Sequence, residues 1–178
     1  MRELTEIRWH ARAGQGAKTA AQILALAEMR NGKGVQAFPE YGPERRGAPL
    51  RAFTRISSRP VRRHDSITEP DLVVVLEPSL VRDVDVADGL EPDGFVLFNG
   101  ETAPAELDRV DVRCVPATRL AATVGSGFVN VVMLGAVAAA LGEPTLERLQ
   151  EAAVETLGHK AEPDSVQRAL AEGYTWPS

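Results

Sequence analysis

The sequence feature that most constrains the fold is an uninterrupted apolar run, Leu72–Leu76, which lies between Pro70 and Pro78. A half-buried strand alternates apolar and polar residues, whereas a short continuous run is typical of a strand buried on both faces in a parallel sheet. Phe95–Phe98 and Val112–Val115 repeat the same short form. The intervals between the three runs fit crossover connections, and the sequence therefore predicts an α/β fold with a mostly parallel sheet.

The N-terminal region predicts a βαβ unit. A β-prone stretch around Ile7 and Trp9 leads into the Gly-rich turn Arg12-Ala13-Gly14-Gln15-Gly16, which is followed by the Ala-rich segment Ala17–Arg30. The periodicity of that segment predicts a helix, and the glycines after it predict its end. Val35–Phe38 then predicts the second strand.

The remaining elements are predicted from the same patterns. Leu50–Ser57 predicts a strand, for which Arg59–His64 is a candidate hairpin partner, and the acidic stretch Ser79–Leu90 fits a short helix. The last third of the chain predicts four helices, namely Thr118–Val124, Asn130–Leu141, Thr145–Leu157 and Pro163–Gly173. We find no linker or repeat that would divide the chain, and residues 1–178 are predicted to form a single domain.

Composition excludes several classes of protein. The net charge of −5 opposes general binding to nucleic acid, which requires a basic surface. Cys114 is the single cysteine, and one thiol forms neither an internal disulfide nor an iron–sulfur site. The longest apolar run, Val129–Leu141, is too short to span a bilayer, and we expect a cytoplasmic protein without a membrane partner.

Two segments are candidates for binding. The turn from Arg12 to Gly16 stands between a strand and a helix, where free N–H groups and the helix dipole favour a phosphate or carboxylate. The same glycines would also serve a tight turn alone, and spacing does not decide between these alternatives. The Pro-rich loop that follows Phe38 carries Arg45 and Arg46, which could pair with a partner's anion or simply face solvent.

No catalytic constellation or metal site is predicted. The three histidines, His10, His64 and His159, lack neighbours at a metal-ligand spacing. Cys114 lies in an apolar strand, where an inert buried thiol is the usual outcome. The apolar helix at Val131–Leu141 and the Pro-rich loop are both predicted to be contact surfaces for partner subunits.

Four segments, read together, carry a resemblance to a known family. They are Arg12–Ala17, Val35–Pro49, Asp71–Leu80 and Asn130–Ala136. The second segment is highly specific, because a long irregular loop has few physical reasons to recur by chance. The chain resembles, over nearly its whole length, the gamma subunit of pyruvate and related 2-oxoacid:ferredoxin oxidoreductases.

The resemblance implies a Rossmann-like three-layer domain with a helical C-terminal third. Enzymes of this family oxidatively decarboxylate a 2-oxoacid on thiamine diphosphate, pass electrons through iron–sulfur clusters to ferredoxin and transfer the acyl group to coenzyme A. It implies that thiamine diphosphate, Mg and the clusters are held by the partner alpha, beta and ferredoxin-like delta subunits. This chain alone would then be inactive, and would contribute to a shared coenzyme A site.

The resemblance also assigns residues. The turn residues implied to bind coenzyme A are Arg12, Gly14, Gln15 and Gly16. The loop residues expected at a subunit interface are Tyr41, Glu44, Arg45 and Arg46. The family usually has glycine where this chain has Ala11 and Ala13, and a methyl group at Ala13 would obstruct a backbone with positive φ.

Other functions stay open at this point. An indolepyruvate, 2-oxoglutarate or branched-chain 2-oxoacid enzyme would differ in substrate, which is chosen mainly on other subunits. A free-standing coenzyme A or nucleotide-binding module would differ in class. A nicotinamide dehydrogenase is disfavoured, because the turn lacks the third glycine of the dinucleotide fingerprint.

Overall fold

The computed structural model describes residues 3–40, 48–63, 65–125 and 127–176. The strands are β1 (Leu4–Arg12), β2 (Gly34–Glu40), β3 (Pro49–Ser57), β4 (Leu72–Val75), β5 (Phe95–Asn99) and β6 (Asp111–Val115). The α-helices are α1 (Ala17–Arg30), α2 (Ala117–Thr123), α3 (Val129–Leu141), α4 (Leu146–Leu157) and α5 (Pro163–Tyr174). Short 3-10 helices occur at Pro78–Arg82, Ala105–Leu107 and Gly158–Lys160.

All of these strands form one mixed sheet in the order β2-β3-β1-β4-β5-β6. β1, β4, β5 and β6 pair in parallel, while β3 pairs antiparallel with both β1 and β2. β3 is therefore the one strand that runs against the others, and the predicted mostly parallel α/β sheet is confirmed. The chain leaves β1 on one side to build β2 and β3, and then crosses to the other side for β4.

The sheet divides the core into two clusters, which gives the fold its three layers. One face of the sheet, through residues such as Ile7, Trp9 and Leu97, shares a core with the α-helices: α1 and α3 contact the strands, while α4 and α5 pack on the other helices. The other face, around Val73, Val75 and Val96, is covered by the short 3-10 helices and turns that follow β4 and β5. The helical C-terminal third is confirmed, and α2 to α5 begin and end within one residue of the predicted bounds.

The structure corrects two local predictions. Residues 59–63 form no strand, because β1 and β2 already occupy both edges of β3. The stretch from Ser79 to Leu90 forms a 3-10 helix followed by turns rather than an α-helix. No α-helix in the described ranges is both long and apolar enough to cross a membrane.

Candidate functional site

The Gly-rich turn between β1 and α1 uses its two glycines for backbone shape. Gly14 has φ of +94° and Gly16 has φ of +80°, which are left-handed values that side chains disfavour. Among the residues that the structure describes, none other than glycine has a positive φ, so Ala13 keeps an ordinary backbone. The methyl group at Ala13 therefore causes no strain in this turn.

Gly16 also brings the starts of two helices together. It precedes α1, and its carbonyl oxygen accepts hydrogen bonds from Ala20 N, at 2.9 Å, and from Asn130 Nδ2, at 3.3 Å. A β-carbon at Gly16 would lie 2.5 Å from Asn130 Nδ2, so only glycine allows this approach. Asn130 lies in the first turn of α3, and the N-termini of α1 and α3 consequently lie side by side.

Gln15 ties the turn to the end of β4. Its side-chain oxygen accepts a hydrogen bond of 2.7 Å from Arg12 N, and its Nε2 donates one of 2.6 Å to Glu77 Oε2. Partial burial opposes ionisation of Glu77, but hydrogen bonds from Ser79 and Gln15 outweigh it and lower the pKa of the Glu77 carboxyl. Glu77 is therefore a fixed anion at neutral pH.

Asn99, at the end of β5, connects the end of β4 to the start of α2. Its Nδ2 donates to the carbonyl oxygen of Leu76 at 2.9 Å, and its Oδ1 accepts from Thr118 N at 3.1 Å. Asn99 thus caps the start of α2 from a distant strand and holds it against the end of β4. Asn99 is only 4% exposed, so these hydrogen bonds are shielded from water.

These connections surround a cleft of about 570 Å³ at the carboxyl ends of β1, β4 and β5. In open α/β sheets, ligands bind in this crevice, where neighbouring strands connect in opposite directions. The lining residues are Gly14, Gln15, Gly16, Thr19, Leu76, Glu77, Pro78, Asn99, Thr118, Gly127, Phe128, Val129, Asn130, Leu157 and Lys160.

The cleft is electrostatically suited to an anion on its helical side. α1 and α3 both begin there, neither start is capped by a side chain, and neither first turn contains an acidic residue. The positive ends of both dipoles therefore face this region. The first N–H groups of α1 point there as well, whereas at the start of α3 Val129 N and Val131 N already donate to the carbonyl oxygens of Gly127 and Phe128. Lys160 adds a cationic side chain to the lining.

The structure brings three of the four predicted turn residues, Gly14, Gln15 and Gly16, into the cleft. Arg12 lies beside it instead. Its Nη2 donates to Asp83 Oδ2 at 2.7 Å and to Ser79 Oγ at 3.0 Å, so the guanidinium reaches the 3-10 helix after β4. The predicted interface residues Tyr41, Glu44, Arg45 and Arg46 fall outside the described residues.

Sequence reasoning missed the other polar groups of the cleft. Glu77 and Asn99 come at the ends of predicted parallel strands, and that position could have identified them. Thr118 and Lys160 lie far along the chain, and no sequence signal linked them to the turn. Asn130 begins a segment that carries the family resemblance, but the resemblance did not assign it to the site.

The described ranges contain no group of three or more His, Cys, Asp or Glu that could hold a metal ion. Cys114 is half-buried in β6, and burial raises the pKa of its thiol. A protonated thiol is a weak nucleophile and a poor metal ligand.

Known proteins match this chain along almost its entire length. A family model described as pyruvate ferredoxin/flavodoxin oxidoreductase matches residues 6–176. The common gamma subunit of the pyruvate/ketoisovalerate oxidoreductases of Thermococcus kodakarensis is 49% identical over 160 residues, or 86% of each chain. Pyruvate synthase subunit PorC of Methanosarcina barkeri is 44% identical over 153 residues, or 84% of each chain.

Solved structures show the same relationship. Pyruvate oxidoreductase subunit PORC from Thermotoga maritima matches with a TM-score of 0.80 at 37% identity, over 97% of this chain and 96% of that chain. A 2-oxoglutarate:ferredoxin oxidoreductase chain from Magnetococcus marinus has a TM-score of 0.81 over 97% of this chain and 31% of its own length, and its 20% identity shows the fold alone. The resemblance found in the sequence is confirmed: the chain belongs to the pyruvate ferredoxin/flavodoxin oxidoreductase family, as a gamma subunit of the 2-oxoacid:ferredoxin oxidoreductases.

Proposed function

We propose that this chain serves a pyruvate:ferredoxin oxidoreductase, and that its cleft binds part of coenzyme A when the subunits are assembled. The observation that carries the proposal is the cleft at the carboxyl ends of β1, β4 and β5, where two uncapped helix starts meet the Gly-rich turn. The identity to PorC and to the common gamma subunit supports pyruvate as the substrate of the complex.

The residues of the cleft fit coenzyme A. A volume of about 570 Å³ is within the usual range for small-molecule sites. The turn and the start of α1 supply N–H donors for phosphate, and the dipole of α3 adds positive potential. Leu76, Phe128 and Leu157 supply apolar contact for an aliphatic arm. When bound, coenzyme A supplies the thiol that accepts the acyl group. The residues of this chain bind and position the coenzyme beside the partner subunits.

The partner assignments follow from the same proposal. Thiamine diphosphate, Mg and the iron–sulfur clusters belong to the alpha, beta and delta subunits, and the isolated chain is inactive. The loop residues Tyr41, Glu44, Arg45 and Arg46 remain predicted interface residues. The single domain over residues 1–178 and the cytoplasmic location also remain predictions.

A second candidate function concerns the substrate. One relative is named as a subunit common to pyruvate and ketoisovalerate oxidoreductases, so a gamma subunit of this type can serve two substrates. This chain would then join a branched-chain 2-oxoacid enzyme as well. Affinity purification of the tagged chain from its own cells tests this, because a second type of alpha and beta subunit would co-purify.

The coenzyme A proposal is tested by filling the cleft without changing the turn. Thr19 lines the cleft from the first turns of α1, whereas its neighbour Lys18 is exposed and does not line it. We expect Thr19→Phe to raise the coenzyme A KM of the assembled enzyme by roughly tenfold or more, which corresponds to a loss of about 1.4 kcal/mol. Lys18→Phe is the matched control and should leave the coenzyme A KM unchanged.

A second measurement separates binding from assembly. Reduction of the clusters by pyruvate before coenzyme A is added should be equal in wild type and Thr19→Phe, since that step takes place on other subunits. Equal coenzyme A KM values for Thr19→Phe and Lys18→Phe, in fully assembled complexes, would place coenzyme A elsewhere.

A further inference from the structure

Two side chains of opposite charge line the cleft, and they are the only charged residues in its described lining. Glu77 directly follows Leu76 at the end of the β4 segment, while Lys160 ends the 3-10 helix Gly158–Lys160 that follows α4. The two charges therefore belong to different elements of the fold. The cleft therefore offers both an acceptor for neutral donors and a cation for phosphates.

Glu77 is fixed in place. Its Oε2 accepts from Gln15 Nε2 at 2.6 Å, and its Oε1 accepts from Ser79 N at 3.2 Å and from Ser79 Oγ at 2.8 Å. An ionised carboxylate has no proton to donate, but its two oxygens together have lone pairs beyond those used by these three bonds. Glu77 can therefore accept another hydrogen bond from a neutral N–H, O–H or S–H group, and it repels a phosphate.

Lys160, in contrast to Glu77, is suited to bind a phosphate. Its side chain is exposed, and it forms no ion pair with any residue in the described part of the chain. An ammonium group offers three donors and no acceptor, so it suits a phosphate. The starts of α1 and α3, which line the same cleft, add to the positive potential there.

We propose that Glu77 and Lys160 together orient the ligand of this cleft, with Lys160 binding its phosphates and Glu77 accepting a hydrogen bond from its neutral half. The inference rests on the proposed function, because coenzyme A has these two halves. Its nucleotide half carries the phosphates, and its pantetheine arm carries amide, hydroxyl and thiol donors. Glu77 also disfavours the reversed orientation, since that would bring a phosphate against a carboxylate.

Equilibrium binding to the assembled complex tests this inference without relying on turnover. Isothermal titration calorimetry uses complex loaded with thiamine diphosphate, in the absence of 2-oxoacid. The probes are coenzyme A, pantetheine and the bisphosphorylated adenosine half of coenzyme A. Lys160→Met should weaken binding of the phosphorylated half by about tenfold at low salt, less at high salt, and should not affect pantetheine.

Glu77→Gln should produce the reverse pattern. We expect it to weaken pantetheine by roughly five- to tenfold, the scale of one hydrogen bond to a charged group, and to tighten or preserve binding of the phosphorylated half. Lys33→Met and Glu106→Gln remove the same charges outside the cleft and are the matched controls. Neither control should change the binding of any probe.

The results distinguish failure of the orientation from failure of the site. Suppose that Thr19→Phe blocks coenzyme A binding. If Lys160→Met and Glu77→Gln then each weaken both half-ligands equally, or change the binding of neither half-ligand, the proposed orientation is wrong and the site stands. Absence of pantetheine binding to the wild-type complex would likewise overturn the role of Glu77. If Thr19→Phe leaves coenzyme A binding unchanged, the proposed function itself fails.

Discussion

Gly173 on α5 packs directly on the main chain of Val132 on α3, so closely that a β-carbon at position 173 would lie 1.8 Å from the Val132 carbonyl oxygen. Gly135 makes the reciprocal approach from α3, where a β-carbon would lie 2.2 Å from the Leu170 carbonyl oxygen. The two helices therefore touch through their backbones. α3 is the central helix of the core, and its apolar residues are covered by this chain.

The first prediction is that Gly173→Ala strongly destabilises the protein. The added methyl group meets backbone, which cannot rotate away, and overpacking of this kind costs about 3 kcal/mol or more. Urea unfolding monitored by circular dichroism measures the effect. Gly127→Ala is the control, because a β-carbon there meets no atom within 4 Å, and its stability should stay near that of wild type. Equal stability of the two variants would show that α5 can move away from α3.

This packing explains why the sequence prediction for α3 was wrong. The Gly- and Ala-rich composition of α3 predicted a surface for partner subunits, but Val131, Met133 and Leu134 are fully buried within the chain. Small residues allow close helix contact in either case, and composition does not tell an internal contact from an external one. The contact between α5 and Gly135 depends on tertiary packing, and no local sequence pattern predicts it.

The second prediction concerns His10, which lies buried on β1. Its Nε2 accepts a hydrogen bond of 3.1 Å from Arg8 Nε. Burial, together with the charges of Arg8 and Arg51, lowers the pKa of His10 from 6.5 to about 3. The folded protein therefore holds His10 neutral, whereas the unfolded chain protonates it below pH 6.5. Stability from this group is complete above that pH and is lost as the pH falls towards 3.

His10→Gln tests that linkage, since an amide oxygen can replace the acceptor and does not titrate. Wild type should lose about 1.4 kcal/mol of unfolding free energy per pH unit through this group between pH 6.5 and 3. The variant should show a shallower slope over that range, measured by urea titration at several pH values. His159→Gln, at an exposed site, is the control for replacing a histidine by glutamine. Parallel slopes in wild type and His10→Gln would refute the buried, neutral histidine.

The third prediction concerns Glu28 near the end of α1. Glu28 is fully buried, and its Oε1 has no hydrogen-bond partner among the residues that the structure describes. Burial, and then the negative charge of Glu143, raise the pKa of the Glu28 carboxyl, although Asn31 and Lys33 oppose the shift. The stability contributed by the protonated form is complete below the unfolded pKa and is lost as the pH rises through the folded pKa.

Glu28→Gln should therefore stabilise the protein at pH 8 by about 1 kcal/mol, because it removes a poorly satisfied buried charge. Near pH 4 the carboxyl is protonated and resembles the amide, so the difference should vanish. Melting curves at the two pH values measure this, with Glu151→Gln as a control at an exposed position. A stabilisation of Glu28→Gln that is independent of pH would exclude titration of Glu28 as its cause.

The sequence predicted elements better than their arrangement. The apolar run at β4 and the periodicity of the C-terminal helices depend on local residues, and both were placed almost correctly. The position of β3 between β1 and β2 depends on pairing across the sheet, so the predicted hairpin at Arg59–His64 was wrong. The cleft was predicted from the turn alone, because Asn130 reaches Gly16, and Lys160 joins the lining, only after the helices pack.

The last prediction concerns Arg12, which sequence analysis assigned to a phosphate and the structure places against Asp83 and Ser79. The ion pair with Asp83 is partly exposed, with side chains 30% and 50% accessible, so it contributes little to stability and can exchange for a stronger partner. The diphosphate of coenzyme A lies next to the pantetheine arm, and if it reaches the start of α1 it offers such a partner while the arm faces Glu77. We therefore expect Arg12→Ala to raise the coenzyme A requirement of the assembled enzyme by about tenfold or more.

Asp83→Asn makes the prediction specific, because it releases the guanidinium without removing it. If Asp83 competes with a phosphate for Arg12, this variant should lower the coenzyme A requirement, whereas Arg12→Ala raises it. Arg109→Ala is the control, since Arg109 also forms an exposed ion pair, with Asp85, and does not line the cleft. Steady-state titration of coenzyme A in the four complexes decides the question. Unchanged coenzyme A dependence in Arg12→Ala, with unchanged stability, would remove Arg12 from the site and leave it as a clamp on the 3-10 helix.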